Sequence, residues 1–160
     1  LDDYLAQFGS DSKQIALEMN AMDVYLQPSR TEGFGLTSVE AQSCGIPVIV
    51  NNAQSQTELV VEGKTGEICK TDPNKKHFTN DLSYTEPADI QSLYECMEKL
   101  YDKLQKPNTF KKDCRDHVIK NYNIDILVKD RWIPYLTELQ EEILPQKTTL
   151  QMKRNDVISK

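Results

Sequence analysis

The sequence predicts an α/β fold, a parallel sheet with flanking helices, and three observations carry that prediction. Asp23-Val24-Tyr25-Leu26-Gln27 and Val48-Ile49-Val50 are two apolar, β-favouring runs. Between them lie a glycine loop, Gly33-Phe34-Gly35, and a helical stretch from Leu36 to Cys44. A strand, a turn, a helix and a second buried strand within about thirty residues make a βαβ unit, whose strands run parallel.

Each element has its own signal. Ile15, Met19 and Met22 recur at helical spacing, so residues 11–22 read as a helix leading into the first strand. Pro28-Ser29 ends that strand, and Gly45 with Pro47 beyond it stops the next helix. A short helix is expected around Thr57 to Val61, then a third strand at Glu67-Ile68-Cys69 beyond Gly63 and Gly66. Residues 70–86 are polar and turn-rich and read as a surface loop.

The remainder is helical. Ile90, Leu93, Tyr94, Met97, Leu100, Tyr101 and Leu104 step by three and four, the stripe of a helix packed on the sheet. A second helix carries Phe110, Cys114, Val118 and Tyr122, and a third Ile124, Val128, Trp132, Tyr135 and Leu139, with a kink expected at Pro134. The reading gives one domain over residues 1–144 and a polar, fraying tail from Pro145 to Lys160.

Composition narrows the function classes. The chain has 160 residues, enough for one ordinary domain or part of a larger protein. Nineteen Lys and Arg against 25 Asp and Glu give a net charge of −6, which disfavours a nucleic-acid binder. Cys44, Cys69, Cys96 and Cys114 stand 25, 27 and 18 residues apart, without a CxxC pair or a zinc-spaced histidine, and read as reduced, mostly buried thiols. There is no apolar run of membrane-span length, no signal segment at Leu1 and no Asn-x-Ser/Thr site, so a cytoplasmic location is expected.

The chemistry is expected where the first strand ends, over Pro28 to Glu40. In open parallel sheets ligands bind beyond the carboxyl ends of the strands, and a helix N-terminus offers unpaired N–H groups to an anion. Gly33 and Gly35 carry no side chain to hold a ligand off, so the backbone from Gly33 to Thr37 suits phosphate or sugar oxygens. Glu40 falls between Leu36 and Cys44 on what helical spacing makes the buried stripe. There it either binds a diol such as ribose, or closes a capping box in Thr37-Ser38-Val39-Glu40. Glu32 is either a cleft carboxylate facing a sugar or an exposed loop acid.

Together these residues resemble the EX7E region of retaining glycosyltransferases of the GT-B fold, family 4 group. Glu32 and Glu40 enclose Gly33-Phe34-Gly35-Leu36, with Asp23 to Ser29 before them and Ala41 to Ile49 after. Glu58 to Gly66 fits the same family's run into the next strand. The resemblance is close over residues 11–69 and holds in outline beyond.

It implies the Rossmann-like, C-terminal half of a GT-B fold, binding a nucleotide-diphosphate sugar as donor substrate and transferring the sugar with retention of configuration. It implies that Glu32 approaches the reacting centre and that the amides of Gly33, Phe34 and Gly35 contact sugar hydroxyls. Those near Leu36 and Thr37 would meet the diphosphate, and Glu40 the ribose. It implies no cofactor and no bound metal, in keeping with the lack of an Asp-x-Asp triplet.

Two departures qualify the match. The family's upstream glycine turn and Arg/Lys pair would stand ahead of Leu1, so an N-terminal acceptor-binding domain is expected as partner, this chain alone is expected to be inactive, and any membrane association would come from that other part. Gln54-Ser55-Gln56-Thr57 also stands where the family often has a glycine pair, which puts a donor contact there in doubt. Arg30 and Lys64 read as surface charge. The rival reading is a non-catalytic nucleotide-binding or scaffolding module of the same fold. A nicotinamide-dependent oxidoreductase fits worse, because the loop lacks the third glycine of GxGxxG.

Overall fold

Three short strands form the heart of the molecule, and the middle one is apolar at three of its four positions because it is covered on both faces. The computed structural model describes residues 11–78 and 84–143; the tail expected from Pro145 onward lies outside them. Helix α1 (Ser12–Asn20) precedes strand β1 (Tyr25–Gln27), helix α2 (Leu36–Ser43) and strand β2 (Val48–Asn51). A 3-10 segment, Gln54–Leu59, leads to β3 (Gly66–Cys69). The sheet order is β1-β2-β3, all parallel, with Tyr25 opposite Val48 and Val48 opposite Gly66.

All four residues of β2 are buried, as a central strand flanked by helices requires. Alternation sends Ile49 to the face where it packs with Cys69, Cys96, Leu100 and Phe110. Helix α3 (Ile90–Leu104) covers that face against β2 and β3, while α2 contacts β1 and β2. Gly66 has no room for a side chain: a Cβ there would lie 1.9 Å from the Val48 carbonyl oxygen.

Helix α1 starts at Asp11, whose carboxylate accepts from the Gln14 amide at 2.7 Å, and α3 starts at Asp89, which accepts from the Ser92 amide. Such caps satisfy donors that the first turn leaves over. Helix α2 stops at Gly45, whose φ of 84° suits the left-handed turn after a helix.

Three expectations change in detail. The short helix after β2 begins three residues earlier than expected and is of 3-10 type. The segment read as a plain loop contains an antiparallel pair, β4 (His77–Phe78) with β5 (Tyr84–Thr85), tied to the sheet end by a bridge from Thr71 to Ala88. On α3 the buried residues are Ser92, Cys96 and Leu100, with Leu93 and Leu104 half-buried, whereas Ile90, Tyr94, Met97 and Tyr101 are exposed.

The chain divides after Ile119 into two units. Helix α4 (Phe110–Tyr122) buries Phe110 and Cys114 in the first unit. The second unit contains helix α5 (Ile124–Leu127), a π-turn over Val128–Trp132 and helical residues 133–143. The π-turn meets the strain expected at Pro134. A proline ring crowds the carbonyl four residues back, and the wider turn, in which the Ile133 amide donates to the Val128 carbonyl, makes room. No helix among the described residues is long and apolar enough to cross a membrane.

Candidate functional site

The carboxyl end of β1 gathers the residues that the sequence singled out. Gly35 is the N-cap of α2, with φ 97°, and no side chain caps the helix. The Ser38 and Val39 amides donate to the Gly35 carbonyl, while those of Leu36 and Thr37 have no acceptor among the described residues. Two unpaired N–H groups and the positive end of the helix dipole therefore face outward. Gly35 also meets its neighbours closely: a Cβ would fall 2.7 Å from Leu59 Cδ1. At Gly33 a Cβ would meet nothing within 4 Å, so that position is open space.

Glu32 is half-buried and held from three sides. Its Oε2 accepts from Gln27 Nε2 at 2.8 Å, its amide donates to Gln54 Oε1 at 2.8 Å, and its carbonyl accepts from Ser55 Oγ at 3.1 Å. The Glu32 Oε1 atom has no partner among the described residues. Gln54 has a φ of 51°, the left-handed region that non-glycine residues seldom occupy. The loop in which a glycine pair is missing thus holds the backbone of Glu32.

Glu40 is exposed, which corrects the expectation that it shares a buried stripe with Leu36 and Cys44. Leu36 is 68% exposed, and the face of α2 turned inward carries Ser38, Ala41 and Gln42. The physical reason is what that face meets. Gln42 Nε2 donates to the Leu59 carbonyl and the Ser38 hydroxyl to Gln27 Oε1, so donors are needed inside. The capping box is also absent, because the helix is capped at Gly35 and Thr37 lies inside its first turn. Glu40 and Leu36, four residues apart, share the open face beside the unpaired amides.

A layer of buried amides beneath the loop was not anticipated from sequence. Gln56 Nε2 and Asn51 Nδ2 both donate to the Ser29 carbonyl, and Asn51 also reaches the Glu86 carbonyl. Gln56 Oε1 accepts from the Asn51 amide. These bonds pin the chain that leaves β1 to the ends of β2 and of the β4–β5 segment. The one signal in the sequence was position: Gln27 and Asn51 each close an apolar strand. Arg30 and Lys64 are exposed, as expected.

A parallel sheet with flanking helices, and a glycine-capped helix N-terminus at its carboxyl edge, define a Rossmann-like unit, and the solved structures that share the fold are GT-B glycosyltransferases. Sucrose-phosphate synthase from Thermosynechococcus elongatus shares the fold, with a TM-score of 0.64 and 22% identity over 82% of this chain and 29% of that one. The Anabaena Alr3699/HepE protein, solved in complex with UDP and glucose, has a TM-score of 0.59 at 22% identity over 78% of this chain and 29% of its own.

The family model for Glycosyl transferases group 1 matches residues 4–112, and the chain belongs to that family. The capsular polysaccharide biosynthesis glycosyltransferase CapM of Staphylococcus aureus is 30% identical over 122 residues, 76% of this chain and 28% of that protein. A D-inositol 3-phosphate glycosyltransferase of Paenarthrobacter aurescens is 38% identical over 92 residues, 58% of this chain and 19% of its own length. The chain thus spans less than a third of these relatives.

Proposed function

We propose that this group 1 glycosyltransferase domain binds the diphosphate of a nucleotide sugar on the first turn of α2 and presents the sugar to an acceptor held by a further domain, with retention of configuration. The observation that carries the reading is the pair of Leu36 and Thr37 amides that have no acceptor among the described residues, in the same loop-to-helix segment as the open position Gly33. An anion there meets fixed N–H dipoles that need no rearrangement. The solved complexes of HepE with UDP and glucose and with UDP-glucose support a uridine nucleotide as the first donor to try.

Within this reading the amides of Gly33, Phe34 and Gly35 hold sugar hydroxyls, and Glu40, exposed on the same face, takes the ribose diol. Glu32 stands at the reacting centre, where its carboxylate stabilises positive charge developing on the sugar as the bond to the diphosphate breaks. The fixed dipoles take up the charge of the leaving phosphate. Neither role needs a cofactor or a bound metal. The diphosphate carries more charge than two amides balance, so cations from the further domain or from upstream sequence complete the site.

The test is donor binding and transfer by the natural polypeptide that contains this chain. Calorimetry should detect UDP-glucose or UDP, with Glu40→Gln weakening the nucleotide. A domain that binds no nucleotide sugar would end the donor reading. Glu32→Gln should leave donor binding in place and cut turnover by about a hundredfold or more, the usual scale for losing one preorganised electrostatic partner. Normal turnover would remove Glu32 from the mechanism, and tight binding without any transfer would favour a non-catalytic module.

A further inference from the structure

Gln27 closes β1 as a buried residue, 9% exposed, and both ends of its amide are committed. The Nε2 atom donates to Glu32 Oε2 at 2.8 Å. The Oε1 atom accepts from Thr37 Oγ1 at 3.0 Å and from the Ser38 hydroxyl, both in the first turn of α2. One planar group thus links the acid of the loop to the helix end whose amides stand open. We infer that Gln27 is a positioning residue: it aims the Glu32 carboxylate and fixes its distance from the first turn of α2. The inference rests on the reading of Glu32 given above.

The chemistry of the group leaves little choice. A carboxylate only accepts, so the atom facing Glu32 has to be a donor. If the amide were flipped, its oxygen would face the carboxylate, so the orientation is set by charge. No aliphatic residue satisfies the two hydroxyls, and Asn is one methylene short. The backbone of Glu32 is fixed separately, by Gln54 and Ser55. What Gln27 adds is control of the rotatable carboxylate itself, whose other oxygen stays open for a ligand. Misplacing a reacting group by about 1 Å can cost a hundredfold in rate.

Gln27→Glu and Gln27→Met in the natural polypeptide provide the test, read by steady-state kinetics with the nucleotide-sugar donor. The first keeps an acceptor for the two hydroxyls and loses the donor to Glu32; the second is uncharged, close in length and guards against misfolding by the first. Either should lower kcat by about 10- to 100-fold while donor KM stays within about twofold, since the ligand contacts are untouched. In a Glu32→Gln background, Gln27→Met should cost no further turnover, because a positioning residue acts only through the group it positions. An unchanged kcat in both single variants, or losses that multiply in the double variant, would overturn the role of Gln27 and leave that of Glu32 standing. Normal turnover in Glu32→Gln alone would instead overturn the reading of Glu32, and this inference with it.

Discussion

Gly33 and Gly35 stand two residues apart in the same loop, yet they are glycine for different reasons. Gly35 has φ 97° and would drive a Cβ into Leu59, so its lack of a side chain serves the fold. Gly35→Ala should cost about 1–2 kcal/mol for the left-handed backbone alone, with Leu59 forced to move besides. Gly33 has open space around its missing Cβ, space that the proposed reading gives to the donor. Gly33→Ala should therefore leave the melting temperature unchanged while weakening the nucleotide sugar by about tenfold, the worth of one good hydrogen bond to a sugar hydroxyl. Thermal melts and calorimetry on the two variants separate these roles. A Gly33→Ala protein that binds the donor normally would show that the ligand does not pass there.

At the scale of elements, the sequence placed α2 and α3 correctly, turned α2 the wrong way and drew the buried face of α3 too wide, since Leu93, Leu100 and Leu104 lie inward and Ile90, Tyr94, Met97 and Tyr101 outward. Apolar periodicity assumes that the inward face of a helix meets apolar partners. The inward face of α2 meets the Leu59 carbonyl and the Gln27 amide, so Ser38 and Gln42 lie inside and Leu36 outside. On α3 the same assumption hides an ion pair. Glu67, its side chain 1% exposed in β3, is held by Lys103 at 2.8 Å and by Lys99 one turn earlier. Nothing in a single strand sequence reveals that its glutamate points inward, since the partners lie 32 and 36 residues away. Removing both cations, as in Lys99→Met with Lys103→Met, leaves a buried carboxylate without a partner and should cost about 3–5 kcal/mol. Urea unfolding should show each single variant losing clearly less, because the remaining lysine still answers the charge. A double variant as stable as the native protein would show that water already screens Glu67.

For the whole molecule, the fold and family were legible because their signals are local: two apolar strands, a glycine loop between them, and a helix ended by Gly45. The candidate site was legible as a stretch of chain, and only in part as a geometry, because the amides that hold its loop are spread from Gln27 to Gln56. The four cysteines were legible too. All are free, and Cys69, Cys96 and Cys114 are buried, with Cys44 partly exposed. That burial makes the molecule sensitive to alkali. It pushes the Cys69 thiol up to about 11 and the Cys114 thiol up to about 12, from an ordinary 9.0. Lys99 is raised above its ordinary 10.5 by its bond to Glu67. Each of these groups holds its proton more tightly when folded than when unfolded. Their contribution is therefore complete below pH 9 and is lost as pH rises through the folded values. Asp72 and Glu86 are lowered by their partners, Lys75 for the one and Thr71 with Lys76 for the other, so the opposite loss belongs to acid below the usual carboxylate range. Urea midpoints should stay level from pH 7 to about 8.5 and then fall, each buried thiol contributing about 1.4 kcal/mol per pH unit while only the unfolded chain ionises. Cys69→Ala with Cys114→Ala should lower the level and flatten the fall. A fall of undiminished steepness in that variant would assign the alkaline limit to Lys99 and the growing net negative charge instead of the thiols.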